Sequence, residues 1–133
     1  FHYDSYAISL IYKSVHKEIS SSLFHGIASI SGSLWYPFFL SYLKDNPIKC
    51  KNIYLSIGEK ESKSKNSLLQ TGYHCQLEAF SLFNSQKKNV LLQINSGGHF
   101  IDCEKRMRKG IDFLLKELMK EKNNNCFLSK RNL

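Results

Sequence analysis

"NIYLSIG", residues 52–58, is a mostly continuous apolar run rich in β-branched, aliphatic and aromatic residues that stops at a glycine. Seven residues of this kind suit a strand better than a helix, and the glycine marks where the strand gives way to a loop. Little in the run alternates between apolar and polar, so it reads as a strand covered on both faces. That is the habit of a parallel sheet. Two further runs share the pattern, "GIASIS" at 26–31 and "NVLLQI" at 89–94, and each also ends against Ser or Asn.

Helical spacing fills the intervals. Residues 4–18 carry Ala7, Ile8, Ile11, Tyr12 and Val15 on one face. Residues 66–84 carry Leu69, Tyr73, Leu77, Phe80 and Phe83, and residues 101–121 carry Met107, Ile111, Leu114, Leu115 and Leu118. Pro37 suits the first turn of a short helix over 37–44, stopped before Pro47. The order helix, strand, short helix, strand, helix, strand, helix predicts an α/β protein with βαβ crossovers. It implies three layers, α/β/α, around a mainly parallel sheet of about three strands. A sheet that thin leaves an edge to be covered by more chain or by another subunit. The residues from 122 onward, ending in "NNNCFLSKRNL", read as a flexible basic tail.

With 133 residues, 42% of them apolar and 23% charged, the chain has the composition of one soluble globular domain. No run approaches the roughly 18 apolar residues needed to span a bilayer, so no membrane partner is expected. The first residues, "FHYDSYAISLIYK", have neither the basic start nor the small-residue cleavage site of a secretory leader. They also lack an initiator methionine, so the chain reads as a piece of something longer. The net charge of +8 would suit an anionic polymer, whose binding would fall steeply with salt. The lysines are scattered, however, with no basic stripe interleaved with aromatics, and a nucleic-acid partner is not expected. Cys50, Cys75, Cys103 and Cys126 form no CxxC pair, which argues against a structural zinc site; reduced thiols in a cytoplasmic protein are the default reading, with a disulfide as the alternative the spacing leaves open.

In a parallel sheet, ligands bind beyond the carboxyl ends of the strands. Read off the sequence, those ends carry "SGSLWYPF" with Ser31, Ser33 and Trp35, then "GEKE" with Glu59 and Glu61, then "NSGGHF" with His99. A histidine behind two glycines can be a plain turn residue, and a glutamate among lysines a solvated one. Brought to one edge, though, they form the acid and base of a nucleophile–histidine–acid apparatus. Gly97 and Gly98 let the backbone turn sharply and carry the imidazole over the sheet edge. His2, His16, His25 and His74 share no spacing and read as structural or surface residues. Asp102 and Glu104 suit the positive end of the last helix.

"SISGSLWYPFFLSYLK" (29–44), "IYLSIGEKESKSKN" (53–66) and "NSGGHFIDCEKRMRKGIDFLL" (95–115) resemble the corresponding stretches of the esterase-D and enterochelin-esterase-like α/β-hydrolases. The likeness runs from about residue 5 to 120 and covers the C-terminal half of a family member, so residues 1–121 would be the C-terminal part of such a domain. It implies a partial α/β-hydrolase fold acting as a serine carboxylic-ester hydrolase on a small-molecule ester, without a metal or other cofactor. It implies His99 as the catalytic base and Glu61 as the acid, with Glu59 as competitor. Ser33, Trp35 and Gly98 would bind the substrate.

One departure stands against it. The family sets its nucleophile on a Gly-x-Ser-x-Gly elbow before a helix resembling "SYAISLIYK", which here would put the serine at about Phe1 or upstream. Tyr3 and Asp4 stand where small residues belong. Ser5 has only four residues before it, and Ser33 lacks the elbow pattern. The chain therefore reads as an esterase part whose nucleophile is absent or degenerate, or as a non-catalytic hydrolase-fold module that binds a ligand or assembles. A homo-oligomer or a missing N-terminal half would cover the open sheet edge.

Overall fold

The computed structural model describes residues 25–131. The expected first helix over 4–18, with Ser5 and the elbow remnant, lies outside them. Three parallel strands, β1 (Gly26–Ile30), β2 (Asn52–Gly58) and β3 (Asn89–Asn95), form one sheet in that order. Ile27 pairs with Ile53 and Ile53 with Val90, so the three carboxyl ends lie on the same edge. Helix α1 (Phe39–Asp45) follows β1, α2 (Ser67–Ser85) follows β2, and α3 (Cys103–Arg131) follows β3. A short 3₁₀ segment, Glu59–Lys63, leads out of β2.

The alternation of side chains along β2 explains the layering. Ile53 and Leu55 point to the side where Phe39, Leu43, Ala79 and Phe83 of α1 and α2 complete the apolar core. Tyr54 and Ser56 point the other way, toward α3: the Tyr54 ring lies 5.9 Å from that of Phe113, and Ser56 meets Arg106. Every residue of β2 is buried, as its apolar run predicts. Each Leu or Ile so buried contributes about 1.5–3 kcal/mol, and Leu55→Ala would cost about 2–5 kcal/mol through the cavity it leaves.

Several boundaries and faces differ from the sequence reading. The outer strand β3 is only half-buried, with Leu91 and Ile94 exposed, because no described residue pairs with its far edge. Helix α1 begins at Phe39 rather than Pro37, since Phe38 ahead of it adopts φ +64 and breaks the helical run. Helix α2 starts where expected, with Asn66 Oδ1 accepting from Leu68 N–H at 3.0 Å. Its buried face is Gly72, Gln76, Ala79 and Phe83, while Leu69, Tyr73, Leu77 and Phe80 flank it half-buried.

Helix α3 does not stop at 121. It continues through Arg131, there being no proline or glycine after Gly110 to end it. The residues read as a basic tail are thus helical as far as that point. The helix also turns only part of its expected apolar face inward, Leu114 and Leu118 being half-buried. Arg106 and Gly110 are buried, whereas Met107, Ile111 and Leu115 of the apolar stripe are exposed. Gly110 decides this rotation, because a β-carbon there would sit 3.0 Å from the Tyr54 ring and 3.1 Å from Ala28 Cβ. The backbone of α3 can approach the sheet only along its glycine.

Candidate active site

Ser31 follows β1, Glu61 sits in the 3₁₀ segment after β2, and His99 lies in the loop after β3. The parallel register brings the three strand ends together, and the side chains meet. Glu61 is 2% exposed. Its Oε2 accepts from His99 Nδ1 at 3.0 Å, and its Oε1 accepts from Ser31 Oγ at 2.7 Å and from Gly58 N–H at 2.9 Å. Burial pushes the pKa of this carboxyl up. The hydrogen bonds from His99, Ser31 and Gly58 outweigh burial and hold it below the ordinary value of 4.5. An ionised Glu61 can only accept, so Nδ1 carries the proton in the neutral imidazole and the lone pair is on Nε2. Glu59, the competing acid, is exposed, and the carboxylate that meets His99 Nδ1 is that of Glu61.

Two glycines set the distance between the acid and the base. Gly58 lies under the histidine loop, where a β-carbon would meet Gly97 O at 2.7 Å and Gly98 O at 3.0 Å. Gly97 has φ +101, a conformation that favours glycine, and turns the loop back so that its carbonyl accepts from Lys60 N–H at 3.0 Å. The 3₁₀ segment and the histidine loop are thereby stitched backbone to backbone. Ser31 is also strained, with φ +47 at a non-glycine residue, and its N–H is held by Ser56 O at 2.7 Å.

A cavity of about 200 Å³ opens beside the pair, lined by His99, Glu61 and Ser31 together with Ser33, Trp35, Ile57, Leu68 and Phe100, among others. Its wall is mostly apolar, and Phe100 stands at the rim, exposed, with its ring edge-on to the imidazole at 4.6 Å. Of the residues expected to bind a ligand, Ser33 and Trp35 line this cavity and Gly98 does not. Gly98 faces open space, with its carbonyl accepting from Ile101 N–H. Gly72 of α2 faces Trp35, the indole Cδ1 lying 3.5 Å from where its β-carbon would be.

The sequence reading missed Arg106. This guanidinium is 1% exposed and reaches the same three strand ends. Its only sequence signal is that it stands four residues before Gly110, on the face the glycine turns inward. Ser31 was named only as part of the strand-end loop, with no role.

His25 Nδ1 lies 3.3 Å from Glu121 Oε2 and Nε2 contacts Asn52, a structural use far from the site. Cys50, Cys75 and Cys103 are free thiols, the first buried and the last exposed. Among the described residues no group of three or more His, Cys, Asp or Glu side chains is placed to hold a metal ion, and no helix is long and apolar enough to cross a membrane. No protein-family model, curated protein or solved structure matches the chain.

Proposed function

We propose that this chain is the C-terminal part of an α/β-hydrolase-fold carboxylic-ester hydrolase, with His99 as general base and Glu61 as the acid that orients it. The observation that carries the reading is the buried Glu61 carboxylate, hydrogen-bonded to His99 Nδ1 at 3.0 Å, beside a largely apolar cavity at the carboxyl edge of a parallel sheet. With the proton on Nδ1, Nε2 can take one from an attacking hydroxyl and return it to the leaving alcohol. Glu61 stabilises the imidazolium formed between those steps. The nucleophile is a serine hydroxyl supplied from outside residues 25–131, by the preceding half of the domain in the same or another chain. That half, or a second copy of this chain, also covers the outer edge of β1. The substrate is a small ester with its apolar portion against Trp35 and Ile57, and the cysteine spacing keeps the proposal in the cytoplasm.

The departure at Tyr3 and Asp4 favours a second reading, a non-catalytic module that keeps the cavity as a ligand site. Hydrolysis of p-nitrophenyl acetate and butyrate by the purified chain, with and without a co-expressed N-terminal half, separates the two. Turnover that His99→Ala abolishes supports the hydrolase. Equal rates for wild type and His99→Ala in both preparations leave the non-catalytic module as the answer.

A further inference from the structure

Burying a guanidinium is costly unless its donors are matched, and Arg106 is matched on all three nitrogens. Nε donates to Ser56 Oγ at 2.9 Å, at the end of β2. Nη1 donates to the His99 carbonyl at 3.3 Å, in the loop after β3. Nη2 donates to Ser31 Oγ, just past β1, and lies 4.0 Å from Glu61 Oε1. One side chain from α3 therefore touches the exit of every strand in the sheet.

The direction of these bonds matters. Ser31 Oγ accepts from Arg106 and gives its own proton to Glu61 Oε1. The guanidinium thus dictates which way the hydroxyl points, and the hydroxyl fixes one carboxylate oxygen. The other oxygen is left for His99. The same guanidinium holds the histidine by its backbone, so acid and base are referred to one rigid fork. Asn95 Nδ2 donates to Ser56 Oγ at 2.9 Å and fixes the far end of that fork.

We propose that Arg106 is a positioning residue for the Glu61–His99 pair, setting the carboxylate through Ser31 and the imidazole through the histidine-loop carbonyl. The use made of the pair rests on the hydrolase reading, but the positioning itself is measurable without turnover. A lysine keeps the charge and loses the planar fork, so it cannot hold three partners in this geometry.

The test is the low-field proton resonance of His99 Nδ1–H, recorded on the whole chain near freezing and assigned by its loss in His99→Ala. Wild type shows the resonance. In Arg106→Lys and in Ser31→Ala it exchanges with water at least tenfold faster or disappears, while the backbone amide spectrum stays that of the folded protein. Ser31→Ala cuts the link from guanidinium to carboxylate and leaves Arg106 two of its hydrogen bonds, so it decides the matter if Arg106→Lys does not fold. An unchanged resonance in folded Arg106→Lys or in Ser31→Ala overturns the proposal, as does a wild type with no His99-dependent resonance. A responsive resonance in a chain that shows no His99-dependent esterase activity even with the N-terminal half co-expressed would sink the hydrolase reading and leave the positioning role standing.

Discussion

Gly58→Ala tests the geometry of the site most directly, because the backbone itself gives alanine no reason to be unwelcome. Gly58 has φ −84 and ψ 134, ordinary extended values for any residue. The obstacle lies wholly in what the added methyl meets: Gly97 O at 2.7 Å, Gly98 O at 3.0 Å and Glu61 Oε1 at 3.0 Å. Two of these are backbone carbonyls that cannot swing aside as a side chain would. Ordinary contact begins near 3.4 Å, so the histidine loop must retreat by about 0.7 Å. A retreat of that size takes the 3.0 Å bond between His99 and Glu61 beyond hydrogen-bonding range.

Overpacking costs about 1–3 kcal/mol, and loosening a buried hydrogen bond to a charged group costs about 1.5–3 kcal/mol. Partial relaxation shares these terms, so the net loss is about 2–4 kcal/mol, a fall in Tm of roughly 10 °C for a domain of this size. Gly98→Ala is the control. Nothing lies within 4 Å of its β-carbon, and the substitution should stay within about 0.5 kcal/mol of wild type. Thermal unfolding of the two variants followed by circular dichroism at neutral pH makes the comparison. Equal melting temperatures would refute the argument that the histidine loop rests on Gly58.

The remaining expectations concern the acid, the thiols and the outward stripe. Glu61→Gln should cost about 1.5–3 kcal/mol at pH 7, where wild-type Glu61 is an ionised acceptor. Because the folded carboxyl titrates below its ordinary value of 4.5, its stabilisation is complete above that value and is lost as pH falls through the lower folded one. Melting curves of wild type and variant should therefore converge in acid, and parallel curves down to pH 3 (roughly an order of magnitude in proton concentration below the ordinary carboxyl range) would count against an ionised Glu61. Burial pushes the Cys50 thiol up to about 11, so a disulfide reagent at mildly alkaline pH should modify the exposed Cys103 and Cys126 promptly and Cys50 only on unfolding. Ile111→Ser and Leu115→Ser should each cost under about 0.5 kcal/mol, since both are exposed, whereas Gly110→Val should be strongly destabilising by forcing α3 off Tyr54 and Ala28. Urea titration of these three variants would expose an error in the assigned face.

Much of the frame is legible without coordinates. A run such as "NIYLSIG" carries no charge and is mostly apolar, so it belongs in the middle of a sheet, and β2 is buried from end to end. The helices betray themselves by spacing, and the order of elements places three chemically distinct loops at one edge. That a histidine follows two glycines is likewise visible in the letters, as is the need for conformational freedom at Gly97. These features depend on neighbours a few residues apart, over which periodicity and glycine carry the information.

What the tertiary structure alone decides is partner choice across long separations. Glu59 and Glu61 look alike in a lysine-rich stretch. Only the twist of the 3₁₀ segment sends the second inward to His99, 38 residues away, and leaves the first in water. Arg106 looks like one more surface cation until Gly110 rotates α3 and carries it to Ser31, 75 residues earlier in the chain. The apolar stripe of Met107, Ile111 and Leu115 misleads for the same reason. Periodicity reports that a helix has an apolar face, but the closest approach of two backbones, set by where a side chain is missing, determines which face reaches the sheet.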